Sequence, residues 1–451
     1  MKKNLKMMAV LSAAAVMTVA APEMGLTGSN GFAYAKTIGW VEEDGVLRFY
    51  EEDDYYLTDT WKKRGEDWYY LNEDGEIATN AQIDEYYVDE TGKRVADKWV
   101  SIENEDAWDS IDEPEFHWHY YGKNGKAVVS KWQKIGENWY YFNENGQMMT
   151  GKVEIENATY YLGDKNDGVM KTGWFQLENE SDDPDLTHSW YYFDKNGKMV
   201  ENQIDKKIDG DYYTFVDGVM QTGWFKLPAE QTESATPSEA SQSAEATVAD
   251  YQYYEPETGK RVSGWKTIEG VEGLSEEGEL FNFYFKSGKP LHATSGLELF
   301  TVNSKKYAFN TKGEMQTGLK VVNLENGEIA NFYFGDDGVM RTGKQTIYNE
   351  DLDENETWFF HTEGSRKGQG FHGIRDNTLY EYGLRKEADS DLRLAPFTLD
   401  GKQYLVNVSG SVQKATSSSK SSAKPELGNG FKDYKDNNDK IWTVDVNGVI
   451  Q

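Results

Sequence analysis

The chain has 451 residues, no cysteine, 14% aromatic residues and a formal charge of −31. Those numbers exclude disulfides, cysteine-ligated zinc and thiol catalysis, and they disfavour nucleic acid, whose recognition needs basic stripes. The length suffices for two or three domains, yet a mean hydropathy of −0.77 is low for large apolar cores.

In chain order, Lys2, Lys3 and Lys6 precede an apolar stretch from Met7 to Ala21, and Ala33-Tyr34-Ala35 has the small-x-small form of a cleavage site. This predicts an export signal over residues 1–35, with the mature chain starting near Lys36 and secreted. No later apolar run approaches the roughly 18 residues of a membrane span. With no lipidation or wall-sorting pattern, attachment to a surface is expected to be non-covalent.

From Gly39-Trp40 to about Phe225 one phrase keeps returning: an aromatic triplet, an acidic turn, Gly-x-Met, then Thr-Gly-Trp. It reads Trp139-Tyr140-Tyr141-Phe142 with Gly146-Gln147-Met148, then Tyr160-Tyr161-Leu162 with Gly168-Val169-Met170 and Thr172-Gly173-Trp174. It returns as Trp190-Tyr191-Tyr192-Phe193 with Gly197-Lys198-Met199, and as Tyr212-Tyr213 with Gly218-Val219-Met220 and Gly223-Trp224. Such a period marks a stacked repeat. Each unit reads as two short strands with Gly and Asn-Gly turn signals, hence one β-hairpin and a connector. A lone hairpin is marginal in water, so its aromatic face must stack on the next unit. The predicted fold is all-β, an elongated β-solenoid of stacked hairpins in two arrays joined by a flexible linker.

The expected boundaries are a first array over 36–227, a disordered Ser/Ala/Glu/Thr-rich linker over 228–250, and a divergent array over 251–414. A Ser-rich linker over 415–428 and one repeat-like unit over 429–451 follow. In the second array the Thr-Gly pairs at 317–318 and 342–343 precede Leu319 and Lys344 instead of tryptophan, and the units near Trp358, Tyr380 and Tyr404 diverge further.

The unit Gly-Trp…Trp-Tyr-Tyr-Phe…Asn-Gly-x-Met-x-Thr-Gly, spread over most of residues 36–414, resembles the cell-wall-binding repeat family. That family includes choline-binding modules of Gram-positive surface proteins and glucan-binding repeats. The resemblance implies a ligand cage between consecutive hairpins: the Gly-Trp tryptophan and the first triplet aromatic of one unit, an aromatic of the next, and often a methionine at the side. The tryptophan pairs that keep those places are Trp61 with Trp68, Trp99 with Trp118, Trp132 with Trp139, and Trp174 with Trp190. The third walls would be Tyr86, Tyr140, Tyr160 and Tyr212 respectively, with Met148 and Met199 closing the second and fourth. Trp265 has no tryptophan partner and Trp358 follows Lys344, so a structural or sugar-binding role is expected in the second array.

A quaternary ammonium donates no hydrogen bond and is held by aromatic faces at roughly 0.5 to 2 kcal/mol per contact. The same rings could stack on sugar C–H faces, while the negative charge favours a cation. Most tyrosines, among them Tyr141, Tyr161, Tyr192 and Tyr213, are expected to be solenoid core. Acidic turn residues such as Glu73, Asp74, Glu144 and Asp194 read as solvated turns.

For catalysis, His117-x-His119 lies on one strand face but lacks a third ligand at a metal spacing. The acidic clusters at 181–185 and 349–356 lack the spacing of a calcium loop, and no repeat-free stretch offers a scaffold for paired carboxylates. The reading is therefore a secreted, non-catalytic protein of the cell surface, without cofactor or metal, anchored through choline on teichoic acid or another glycan polymer of the wall. Alternatives are an α-glucan or host-glycan adhesin, a structural or interaction scaffold using the insertions around Trp108 and Ser181 as partner loops, and a targeting subunit for a separate hydrolase.

Overall fold

The computed structural model describes residues 38–52, 55–104, 107, 114–178, 187–228 and 247–451. The expected export signal, the insertions around Trp108 and Ser181, and most of the 228–250 stretch lie outside the described residues. Among those described, the secondary structure is all-β apart from the single 3₁₀ turns Val248–Asp250 and Pro425–Leu427 and one further 3₁₀ residue, Ala107. Small antiparallel sheets follow one another, most of two strands, and none closes into a barrel. The most elaborate has five strands and gathers Gly343–Asn349, Glu354–Phe360, Leu384–Arg385, Thr378–Glu381 and Gly373–Arg375, where the repeat pattern is weakest. The chain falls into two compact units, residues 38–153 with 162–170 and residues 154–161 with 171–451.

One register recurs. In the first unit Lys131–Ile135 pairs with Asn138–Phe142 so that Trp132 opposes Tyr141 and Lys134 opposes Trp139. Trp61 opposes Tyr70 and Trp99 opposes Tyr120 in the same way, as do Trp174 and Tyr192 in the second unit. Because strand side chains alternate, the Gly-Trp tryptophan, the first triplet aromatic and the third residue share one face, while the second and fourth residues share the other. The fourth residues are the deepest: Leu71, Val88, Tyr121, Phe142, Phe193 and Phe215 have no exposed surface.

Stacking joins unlike faces. Trp99 meets Tyr140 and Phe142 of the following hairpin at 5.0 and 5.6 Å. In the second unit Trp174 meets Tyr213 and Phe215 at 4.8 and 5.8 Å, and Trp265 meets Tyr307 and Phe309 at 4.8 and 6.0 Å. This geometry corrects the expected core. Tyr141, Tyr161 and Tyr192 are only half-buried, because the third place shares the tryptophan face. Tyr213, in the second place, is buried and packs directly on Trp174.

The connector after each hairpin is a side-chain-capped turn. The Asn143 Oδ1 accepts the N–H groups of Asn145 and Gln147 at 3.0 and 2.9 Å. Asp194 does the same for Asn196 and Lys198, so it is a cap and not merely a solvated turn residue. The glycine that follows is required: Gly168 has φ +66°, and a Cβ there would lie 2.3 Å from the Met148 sulfur.

Two stretches of linker composition enter the structure differently. Gly223–Lys226 pairs with Tyr251–Tyr254, Lys226 opposite Tyr251, so residues 227–250 connect the two strands of one hairpin. In the Ser-rich stretch, the Asp433 carboxylate accepts the Ser421 hydroxyl and the N–H groups of Ser422 and Ala423, which ties residues 421–423 to the hairpin Lys432–Lys435 with Ile441–Val444.

Candidate functional site

The candidate sites lie where the tryptophan face of one hairpin meets the next. In the first unit Trp99 stands 6.4 Å from Trp118 at 83° and 5.0 Å from Tyr140 at 72°. Met148 packs in the same cluster, and its N–H donates to the Trp118 carbonyl at 2.7 Å. Pairs inclined that steeply are edge-to-face contacts, in which the edge of one ring rests on the face of the other. In the second unit Trp174 meets Tyr213 at 4.8 Å and Tyr192 at 5.0 Å, with Met220 in the cluster and Trp190 on the same strand face, 40% exposed.

Two expected walls therefore move. Tyr212 is not the ring beside Trp174; Tyr213 is, since the second triplet place faces back. Tyr212 instead lies under the Arg261 guanidinium at 4.2 Å. Met199 does not close this cluster either. Its N–H donates to the Thr159 carbonyl, one hairpin earlier, which puts it at the preceding interface. The missed residue, Met220, has a sequence signal: it is the Gly-x-Met methionine of the hairpin that follows, as Met148 follows Trp118.

Trp132 stands 5.3 Å from Tyr141, Trp139 is 43% exposed, and the Met170 N–H donates to the Trp139 carbonyl. Tyr160 belongs to the other unit, where it is buried.

The first pair differs in a way the sequence reading missed. Trp61 meets Tyr70 at 5.3 Å and Tyr86 at 5.4 Å. The methionine place here holds Arg94, whose N–H donates to the Trp68 carbonyl and whose guanidinium lies 5.6 Å from the Trp68 ring and 5.1 Å from Tyr86. The aromatic walls already face a cation of their own chain. Arg261 repeats the substitution and adds an ion pair to Asp205 at 2.6 Å.

In the divergent region Trp265 remains 37% exposed beside Tyr284 and Tyr307. The second tryptophan's place is Asn282, whose carbonyl is met by the Met315 N–H. No group of three or more His, Asp or Glu able to hold a metal occurs among the described residues.

Comparison with known proteins gives the same repeats. Residues 129–175 match the family described as a choline-binding repeat, and residues 59–77 and 189–199 match the one described as a cell wall binding repeat. The matches contain Trp61, Trp68, Trp132, Trp139, Trp174, Trp190 and Met199. No curated protein matches the chain. Among solved structures, the modular autolysin LytC from Streptococcus pneumoniae, in complex with a synthetic peptidoglycan ligand, is 18% identical, over 62% of this chain and 52% of that one, at a TM-score of 0.37. CbpJ from Streptococcus pneumoniae TIGR4 is 18% identical over 83% of this chain and 99% of that one, at 0.28. Choline binding protein F from Streptococcus pneumoniae is 17% identical over 83% and 98%, at 0.26. The chain spans about half the length of the autolysin it matches, and scores of this size carry no functional weight.

Proposed function

From the premise that this chain carries cell-wall-binding repeats of the choline-binding class, we propose that it is a secreted, non-catalytic surface protein held to a wall polymer by quaternary ammonium groups. The choline of a teichoic acid is the form of that ligand the reading favours. The hairpins stack as a solenoid within each unit, and ligand cages lie at the stacking interfaces. The observation that carries the reading is the Trp99, Trp118 and Tyr140 cluster with Met148 at its side: three differently inclined rings and a thioether, with no charged group among them. Trp174, Trp190, Tyr213 and Met220 form the second cage, and Trp132 with Trp139 contributes to a third.

Contacts of about 0.5 to 2 kcal/mol per ring hold a free ammonium at about the millimolar level, where binding is worth about 4 kcal/mol. A polymer carrying many such groups gains by linkage without any new contact. Calorimetric titration of the full chain with choline, tetramethylammonium and maltose tests this. Saturable heat with both ammonium compounds and none with maltose supports the reading; silence with both refutes it.

A second reading has its own observation. Trp265, flanked by Tyr284 and Tyr307 with the Asn282 amide in the second tryptophan's place, suits a sugar ring better than an ammonium, and heat with maltose alone would favour the α-glucan adhesin.

A further inference from the structure

The interface between the hairpin Ala81–Ile83 with Tyr86–Val88 and the hairpin Lys98–Glu103 with Phe116–Tyr121 has the cage geometry without the cage residues. Gln82 opposes Tyr87 as Trp61 opposes Tyr70, and Glu85 precedes Tyr86 as Trp68 precedes Tyr69. His119 follows Trp118 as Tyr140 follows Trp139. The Ala127 N–H donates to the Glu85 carbonyl at 2.7 Å, as Met148 donates to that of Trp118. The stacking is intact, with Tyr87 and Tyr121 at 5.8 Å. So the four cage places hold Gln82, Glu85, His119 and Ala127, and the loss of two indoles and a methionine leaves a cleft of about 610 Å³ that all four line.

His119 is 5% exposed; its Nδ1 is buried without a close hydrogen bond, and the ring's contact with the Gly146 backbone is a looser one. Buried ring nitrogens without a close partner are rare in folded proteins. Burial and the neighbouring His117 lower the His119 pKa to about 4, so at neutral pH the ring is uncharged, with one donor and one acceptor nitrogen. Glu85 is oriented by an ion pair with Lys126. Asp84, Glu85 and Glu144 line the cleft and turn away anions. No indole is left to hold a quaternary ammonium. Ile102, Ala127 and Val129 supply an apolar floor. What remains favoured is a neutral ligand with several hydroxyls and one C–H face.

We propose that this interface is a saccharide subsite, in which Gln82, Glu85 and His119 hydrogen-bond the hydroxyls of a neutral sugar residue. It stands independently of the ammonium cages, since no residue is shared with them.

The test is NMR of the histidine rings in the full chain, which has six histidines. N-acetylglucosamine, glucose, ribitol and glycerol are titrated in turn, with methylammonium and tetramethylammonium as controls. A saturable shift of the His119 and His117 signals is expected with at least one of the two sugars, and none with tetramethylammonium. Gln82→Ala weakens that response about tenfold or more, and His119→Phe does the same to the remaining His117 signal, while the tryptophan indole response to tetramethylammonium survives Gln82→Ala. Histidine signals that no sugar moves, that methylammonium moves instead, or that respond equally in both variants overturn the proposal. None of these results bears on the tryptophan cages, whose indole signals are read in the same spectra.

Discussion

Replacing Arg94 by methionine should create a ligand site where the native chain has closed one. The guanidinium lies 5.6 Å from Trp68 and 5.1 Å from Tyr86, and each such contact at a partly exposed position is worth about 0.5 to 1 kcal/mol. An incoming ammonium must displace both, so the native interface binds it more weakly by about 1 to 2 kcal/mol, or roughly 5- to 30-fold. The backbone needs no change: Arg94 donates its N–H to the Trp68 carbonyl at 2.8 Å as Met148 does to Trp118. Gly125 leaves room beside Arg94 as Gly168 does beside Met148. Calorimetry with tetramethylammonium should therefore show one more site in Arg94→Met than in the native chain, and Trp68→Ala should remove that site from the variant while leaving native stoichiometry unchanged. If Trp68→Ala lowers the native stoichiometry, or Arg94→Met adds nothing while the other cages bind, the built-in cation does not govern this interface.

Tyr213→Ala should weaken tetramethylammonium binding at the Trp174 cage by about 5-fold or more, whereas Tyr212→Ala should leave it within about 2-fold; equal losses would return the wall to Tyr212. Gly338→Ala should destabilise the second unit by about 1 to 2 kcal/mol, read as a lower Tm, because φ is +70° there and the new Cβ would lie 2.2 Å from the Met315 sulfur. Asp433 titrates low: partial burial pushes its pKa up, but bonds from Ser421, Ala423, Thr443 and Ser422 outweigh that and hold it at about 2. A carboxyl whose folded pKa lies below its ordinary 3.8 stabilises above about pH 4 and loses that contribution as pH falls through 2. Protection against amide exchange at Ser422 and Ala423, whose N–H groups Asp433 accepts, should therefore fall between about pH 4 and 2, and Asp433→Asn should show the faster exchange already at pH 7. A flat profile, or a variant identical to the native chain, would refute the assignment.

The hairpins and their period could be read from the chain because Trp-Tyr-Tyr-Phe, Asn-Gly and Gly-Trp are local signals whose chemistry acts within one unit. The tryptophan pairs were legible for the same reason. What lies between units was less so. Tyr213 and Tyr212 are adjacent and chemically alike, and only the fact that successive hairpins stack unlike faces chooses between them. Met199 and Met220 both end a Gly-x-Met turn, and the choice depends on knowing that this turn reaches back one hairpin. Arg94 and Arg261 were hidden because each stands in the methionine's place of a diverged turn, where nothing local shows that the side chain reaches the aromatic rings of the hairpin before it. The core tyrosines were misplaced through the same face rule, since Tyr141 and Tyr192 sit beside their tryptophans instead of beneath them. Composition misled in the Ser-rich stretch, where bonds to the Asp433 carboxylate tie residues 421–423 to the last hairpin.

The hairpin formed by Gly223–Lys226 and Tyr251–Tyr254 keeps its register across the long connection of residues 227–250. The preceding hairpin, Gln203–Ile208 with Asp211–Val216, closes through a turn roughly tenfold shorter, and lengthening a closure by that factor costs only about 2 kcal/mol of chain entropy. Trp224, immediately before the connection, still packs on Tyr253 beyond it at 5.1 Å and on Phe283 at 5.2 Å. Hairpin tips in this architecture are thus splice points: they can gain or lose sequence, or carry a grafted domain, while the strand faces that build the cages stay in register. Such a chain can change what it displays without changing what it holds.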